Sequence, residues 1–308
     1  MRSLVLLSLA VGLAYTSPVA GTASAQTTAV APDLSDTVHR QTVRAGVEFL
    51  LNNGQDPVDG SFSKQLSPAV TAMCVSALVR SDIPVTHPKI QRGVAFILDQ
   101  VQPDGGIYAA GSTLRNYETS VSVMMLQQVN ADGNHDDIIA RASDFLKGIQ
   151  WDAGEGHDVA SRHYGGQGYG KHRRPDLSNT SFFLDALREL SEDGDSEAIR
   201  KAIVFTSRCQ NLPTPHNDAE FAQAVGDDDR GGFIYSAVGS GETKAESTAE
   251  TPEGGLRSYA SMTYAGLKSY LYAGVDRDDV RVQAAMDWIE RHYSLDTNPG
   301  MGQQGLFY

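Results

Sequence analysis

The chain has 308 residues, of which 41% are hydrophobic and 20% charged, a length and apolar content that support a buried core in one large domain or two ordinary ones. Its 25 basic and 38 acidic side chains give a net charge of −13. That balance excludes an electrostatic nucleic-acid surface and adhesion to anionic lipid, both of which need a basic face.

Residues 1–25 read as a signal peptide. Arg2 supplies a basic start, Leu4 to Leu13 an apolar core, and Ala23-Ser24-Ala25 a small-residue cleavage site. The apolar core is shorter than the roughly 20 residues a membrane-spanning helix needs, so no transmembrane anchor is expected after cleavage. The expected location is outside the cytoplasm, periplasmic or extracellular. Residues 26–35 read as a disordered lead-in, and 36–308 as a single domain. Cys74 and Cys209 lie in separate apolar helical stretches, where two buried thiols and a disulfide both fit an exported chain.

From residue 36 onward the chain repeats itself. Each copy begins with an amphipathic helix, in the first four carrying a basic residue and an aromatic four or five residues later, then a Gln, a Gly-rich turn and an apolar or aromatic residue, with the fifth copy weaker. The copies centre on Phe49, Phe96, Phe145, Phe205 and Trp288. Their amides are Gln55, Gln102, Gln150 and Gln210, and the turns include Gly105-Gly106, Gly165-Gly166 and Gly231-Gly232. A second, more apolar helix follows each of the first four copies, at Ser67–Arg80, Asn116–Asn130, Ser178–Leu190 and Ser258–Ala273. These align on Thr71, Thr119, Thr180 and Thr263. The fifth copy has a first helix and a Gly turn but no second helix.

Hairpins with one amphipathic and one mostly apolar helix cannot bury themselves alone and must stack. The expected fold is therefore all-α, an α/α barrel or toroid of about five repeated hairpins, incomplete or open at the fifth, with apolar helices inside. Short β-hairpins are expected in the loops at Arg162–Gly170 and Gly231–Ser236. The amides suit a structural role, since a Gln side chain donates and accepts at once and can tie a helix end to a neighbouring turn.

The repeat resembles the Q-W-type repeat of squalene–hopene and oxidosqualene cyclases, shared more loosely with protein prenyltransferase β-subunits. The likeness runs over nearly all of residues 36–308, and Asn298–Tyr308 with Ser261–Leu267 resembles exported bacterial cyclase-repeat proteins. Such cyclases protonate an alkene with an Asp-x-Asp-Asp motif just before Thr-Ala at an inner-helix start. That frame falls here on Arg115, Asn116, Tyr117 and Glu118, ahead of Thr119, so Glu118 is the one candidate catalytic acid. The last position of the frame holds Asn179 in the third hairpin and Val70 in the first. Candidate cavity-lining aromatics are Tyr117, Phe182, Phe183, Tyr259 and Tyr264, whose ring faces would suit an isoprenoid carbocation.

No metal or cofactor is expected. Asp227-Asp228-Asp229 lacks the helical Asp-rich spacing of a magnesium–diphosphate site, and Cys209 with His216 forms no zinc triad. His157, His163 and His172 cluster with Arg162, Lys171, Arg173 and Arg174 in one loop, either to receive an anionic group or to offset nearby carboxylates. Gly300-Met301-Gly302-Gln303-Gln304 has the glycine frame of thioester domains with Met in place of Cys, so no thioester can form. Two functions follow. One is a non-catalytic exported scaffold that binds a lipid, glycan or protein partner. The other is a terpene-cyclase-like isomerase or lyase, or a prenyltransferase-like enzyme, acting on an isoprenoid in the inner-helix cavity.

Overall fold

The computed structural model describes residues 34–63, 65–170, 173–188, 197–245, 251–252 and 254–302. The expected signal peptide, most of the lead-in, Lys171, His172 and the final six residues lie outside the described residues. The chain divides into two compact units, residues 1–42 and 43–308, with the division inside helix α1 (Leu34–Phe49). In the first unit the described residues are the opening turns of α1, where Thr42 donates its hydroxyl to the Val38 carbonyl at 3.0 Å.

The second unit is all-α and toroid-like. Its described helices alternate between an inner and an outer layer. The inner helices are α2 (Pro68–Arg80), α4 (Arg115–Val129), α6 (Leu177–Arg188) and α9 (Ala260–Tyr272). The outer ones are α3 (Pro88–Leu98), α5 (Asp136–Gly148), α7 (Glu197–Arg208) and α10 (Val280–His292). A single turn, α8 (Glu220–Gln223), sits in the long loop before α9. Inner helices pack on one another in the order α2, α4, α6, α9, and each carries its outer partner.

The layering follows from residue spacing. Outer helices bury one stripe, such as Ile139, Ala142, Phe145 and Leu146 in α5 and Ala198, Ile199, Ala202 and Phe205 in α7. Inner α4 buries residues all round, from Asn116 and Glu118 to Val129. Among the described residues no strand forms. The expected loop hairpins appear as isolated antiparallel bridges, Gln167 with Asp176 and Ser236 with Glu242. Cys74 and Cys209 are free thiols, and burial raises the pKa of each.

The repeat residues join one hairpin to the next. Gln150 donates both its amide hydrogens, to the Gly165 carbonyl of its own turn at 2.8 Å and to the Ala198 carbonyl of the next outer helix at 3.0 Å. Gln55 makes the same pair to Gly60 and Lys89, and Gln210 to Gly231 and Arg281. Lys89, Ala198 and Arg281 are each the second residue of their helix. Gln102 departs from the rule and bonds the carbonyls of Gln100 and Tyr108. The turn glycine must have no side chain. At Gly165, with φ +84°, a Cβ would lie 1.8 Å from the Lys201 carbonyl oxygen, and at Gly231, with φ +92°, 2.1 Å from that of Ala284.

The turn is held from within as well. The backbone N–H of Phe62, Ile107, Gln167 and Phe233 each donates to a threonine hydroxyl on an inner helix, respectively Thr71, Thr119, Thr180 and Thr263, at 2.9 to 3.1 Å. One turn thus locks outer helix, inner helix and next repeat together. Gln150→Leu should cost about 2 kcal/mol or more, because two carbonyls lose their donor in a buried site. Gln102→Leu should cost less, since its amide holds only its own turn. Chemical denaturation of the two variants checks this, and equal losses would refute the inter-repeat role.

Candidate functional site

The inner helices run in the same direction and enclose two cavities along their common axis. At their N-terminal ends Tyr117, Phe182, Tyr169, Tyr235, Tyr259 and three methionines, Met73, Met262 and Met301, surround about 470 Å³. At their C-terminal ends Arg80, Gln128, Asp185, Arg188, Lys268 and Tyr272 surround about 460 Å³. Met73 belongs to both walls. In the wall of the first, Tyr117 meets Phe182 edge-on with ring centroids 4.9 Å apart, and the Tyr117 hydroxyl points to the Met73 sulfur at 3.9 Å. The axis therefore carries an aromatic chamber and a charged chamber that meet at Met73. Each volume falls within the range of about 300–1,000 Å³ usual for small-molecule sites.

Helical rotation explains which aromatics face the axis. Tyr117, Phe182 and Tyr259 line the aromatic chamber. Phe183, about 100° round the helix from Phe182, is fully buried in the core and in neither wall. Tyr264 is half-buried on α9, where burial and the nearby Tyr293 raise its pKa, and it too is outside both walls. The loops add residues that the sequence reading did not single out. Tyr169 and Tyr235 come from the segments before α6 and α9, and Met301 is brought in by a turn that caps α9. In that turn Asn298 accepts from the Ser261 N–H at 3.1 Å and the Pro299 carbonyl accepts from the Ala260 N–H at 2.8 Å.

Glu118 is buried at the start of α4, but its carboxylate faces the wall and not the axis. One oxygen accepts from the Ser67 hydroxyl at 2.9 Å and the other from the Ala109 N–H at 3.1 Å. Ser67 is itself the N-cap of α2, accepting from the Ala69 N–H. Glu118 thus ties two inner-helix starts to the second Gly turn, and it is absent from the wall of either cavity.

A second buried carboxylate occupies the corresponding start of α6. Asp176 accepts from the Asn179 backbone N–H at 2.8 Å and from the Asn179 side-chain amide at 3.1 and 3.0 Å. The Asn116 amide donates onward to the Asn179 side-chain oxygen at 3.3 Å. On its other side Asp176 takes the hydroxyl of Tyr235, which is also bonded to Tyr169. Burial raises the Asp176 pKa to about 6, against the lowering effect of these donors and of Arg174. Burial and the neighbouring Asp176 also push the Tyr235 hydroxyl upward, so it stays protonated. Asp176 is the first residue of the four-position frame Asp176-Leu177-Ser178-Asn179 ahead of Thr180, the frame that places Glu118 last in the preceding hairpin. Reading all four positions of that frame in the third hairpin would have found it.

The remaining clusters are structural. Asp229, buried in the acidic run, accepts from the Ser258 N–H at 2.7 Å and pairs with Arg257 at 3.1 Å. His157 and His163 stack with centroids 4.3 Å apart beside Trp151, and Arg162 pairs with Asp218 at 2.7 Å. Arg174 pairs with Glu242. Of the described basic residues of this loop, Arg162 and Arg174 are matched by carboxylates, and Arg173 lies over the Tyr169 ring.

Parallel apolar helices inside, amphipathic helices outside and an aromatic-lined axis define an α/α toroid of the terpene-cyclase class. The family model of the squalene-hopene cyclase C-terminal domain matches residues 64–226, more than half of the chain. The chain belongs to that family. A comparison with curated proteins returns no match.

The Asp176 environment predicts a pH dependence. An unfolded aspartate loses its proton near the ordinary 3.8, whereas folded Asp176 keeps it to about 6. The folded chain therefore binds more protons between these values, and this group's effect on stability becomes more unfavourable as pH rises through them. Asp176→Asn, which cannot ionise, should gain on wild type by up to about 3 kcal/mol between pH 4 and 6.5. Parallel denaturation curves across that range would disprove the assignment.

Proposed function

We propose that the protein is an exported binding member of this family that holds an apolar, isoprenoid-class ligand in the aromatic chamber without transforming it. The observation that carries this reading is the direction of the two carboxylates at the inner-helix starts. Glu118 and Asp176 both turn their oxygens into the wall, where backbone, hydroxyl and amide donors occupy them. Protonation of an alkene requires an acid within reach of the substrate, and no acidic side chain lines the aromatic chamber among the described residues. Apart from Ser178, Asn179 and Ser261, its wall is aromatic, thioether and aliphatic surface suited to a hydrocarbon chain. No described helix is long and apolar enough to cross a membrane.

A second reading has one observation in its favour. Tyr235 lies in the chamber wall with its hydroxyl on Asp176, an acid that holds its proton to about pH 6. A proton passed from Asp176 through that hydroxyl would make the chamber a cyclase site.

Incubating the purified protein with squalene and with farnesyl diphosphate, followed by mass spectrometry of the products, separates the two. The binding reading expects bound but unchanged ligand, with Tyr117→Ala or Phe182→Ala weakening retention about tenfold by loss of an aromatic contact. A cyclised product that vanishes in Asp176→Asn would overturn it in favour of the cyclase.

A further inference from the structure

The two chambers share one continuous lining. On α4 the axial face runs through Tyr117, Val121, Met124 and Gln128, a distance of roughly 16 Å at the rise of a helix. Met73 belongs to both walls, and it is an unbranched side chain able to swing aside. The far chamber is unlike the near one. It gathers three cations, Arg80, Arg188 and Lys268, against one carboxylate, Asp185.

These charges are unequally engaged. Lys268 is held by Asp185 at 2.7 Å. The Arg188 guanidinium lies 4.0 Å over the Tyr272 ring, which fixes its plane and leaves its N–H edge available. Arg80 and Arg188 are exposed and feel the Asp185 carboxylate electrostatically, but among the described residues neither guanidinium has a hydrogen-bond acceptor. Position in the last turns of α2 and α6 accounts for two cations at helix C-termini. It does not account for the acceptors beside them. Asp185 Oδ1 and Gln128 Oε1 are buried in the same wall with no donor.

We infer that the charged chamber receives the phosphate monoester head of a single-chain amphiphile, whose apolar tail runs past Met73 into the aromatic chamber. The phosphate oxygens would accept from Arg80 and Arg188, a pairing whose geometry suits guanidinium groups. The singly protonated head also carries an O–H, the donor that Asp185 Oδ1 lacks. This inference rests on the reading that the aromatic chamber binds an apolar chain, and it adds the head group, the mode of entry and the ligand class.

Calorimetric titration with farnesyl phosphate, farnesol and inorganic phosphate tests it, on wild type and on R80Q/R188Q, with circular dichroism confirming that the double variant is folded. Farnesyl phosphate should bind wild type at least tenfold more tightly than farnesol, and added salt should narrow the margin. In R80Q/R188Q the margin should vanish while farnesol affinity is unchanged. Equal affinity of the two compounds for wild type, or a margin that survives the double substitution, would overturn the head-group site and leave the aromatic chamber intact. Inorganic phosphate binding as tightly as farnesyl phosphate would overturn the amphiphile. No binding of farnesol or farnesyl phosphate would sink both this inference and the chamber reading beneath it.

Discussion

The structure depends on one amide side chain used the same way in three of the repeats. Gln55, Gln150 and Gln210 each donate to their own Gly turn and to the second residue of the next outer helix. A hairpin of two helices leaves its apolar face unprotected and gains stability only by stacking. The amide converts that general need into a fixed geometry, because two carbonyls from different repeats must meet one planar donor. Glycine is required where the next helix backbone presses against the turn, and threonine on the inner helix receives the N–H that follows. Removing any of the three loosens a junction and not merely a contact.

The clamp also decides where chemistry can sit. Where it occurs it fixes one hairpin to the next, and with outer and inner helices alternating along the chain the N-terminal ends of the described inner helices gather at one mouth of the axis and the C-terminal ends at the other. Capping groups then segregate by physics. Ser67, Glu118, Asp176 and Asn298 serve the N-terminal ends, while Arg80 and Arg188 lie in the last turns at the opposite mouth. The polarity of the axis is therefore a consequence of the repeat.

The fold was legible in the sequence because the chain states it repeatedly. The spacing of Phe96, Phe145 and Phe205, the amides and the aligned threonines each answer a local requirement that recurs. The site was legible only in part. Tyr117 and Phe182 could be named because they are aromatics near inner-helix starts, yet the adjacent Phe183 turns into the core. Tyr169, Tyr235 and Met301 come from loops, and their approach to the axis is set by contacts with distant residues that no local pattern records. Gln102 shows the same limit from the other side. It has the right spacing, but its amide closes on Tyr108 of its own turn.

Glu118 and Asp176 show how a motif position can be retained in form and put to other use. Each is an acid at an inner-helix start ahead of a threonine, where a cyclase of this family would be expected to place its proton donor. A general acid must be protonated at the working pH and must present that proton to the substrate. Asp176 approaches the first condition through burial. Its oxygens are nevertheless turned to Asn179 and Tyr235, so any path to the chamber leads through a phenol that burial and the neighbouring carboxylate hold protonated. Glu118 fails the second condition directly, with both oxygens bonded to Ser67 and Ala109. The same hydrogen bonds that satisfy these buried carboxylates join α2, α4 and α6 to their turns. Freeing either acid for catalysis would leave buried donors unpaired at a junction between repeats, and that coupling is the physical argument behind the proposed binding role.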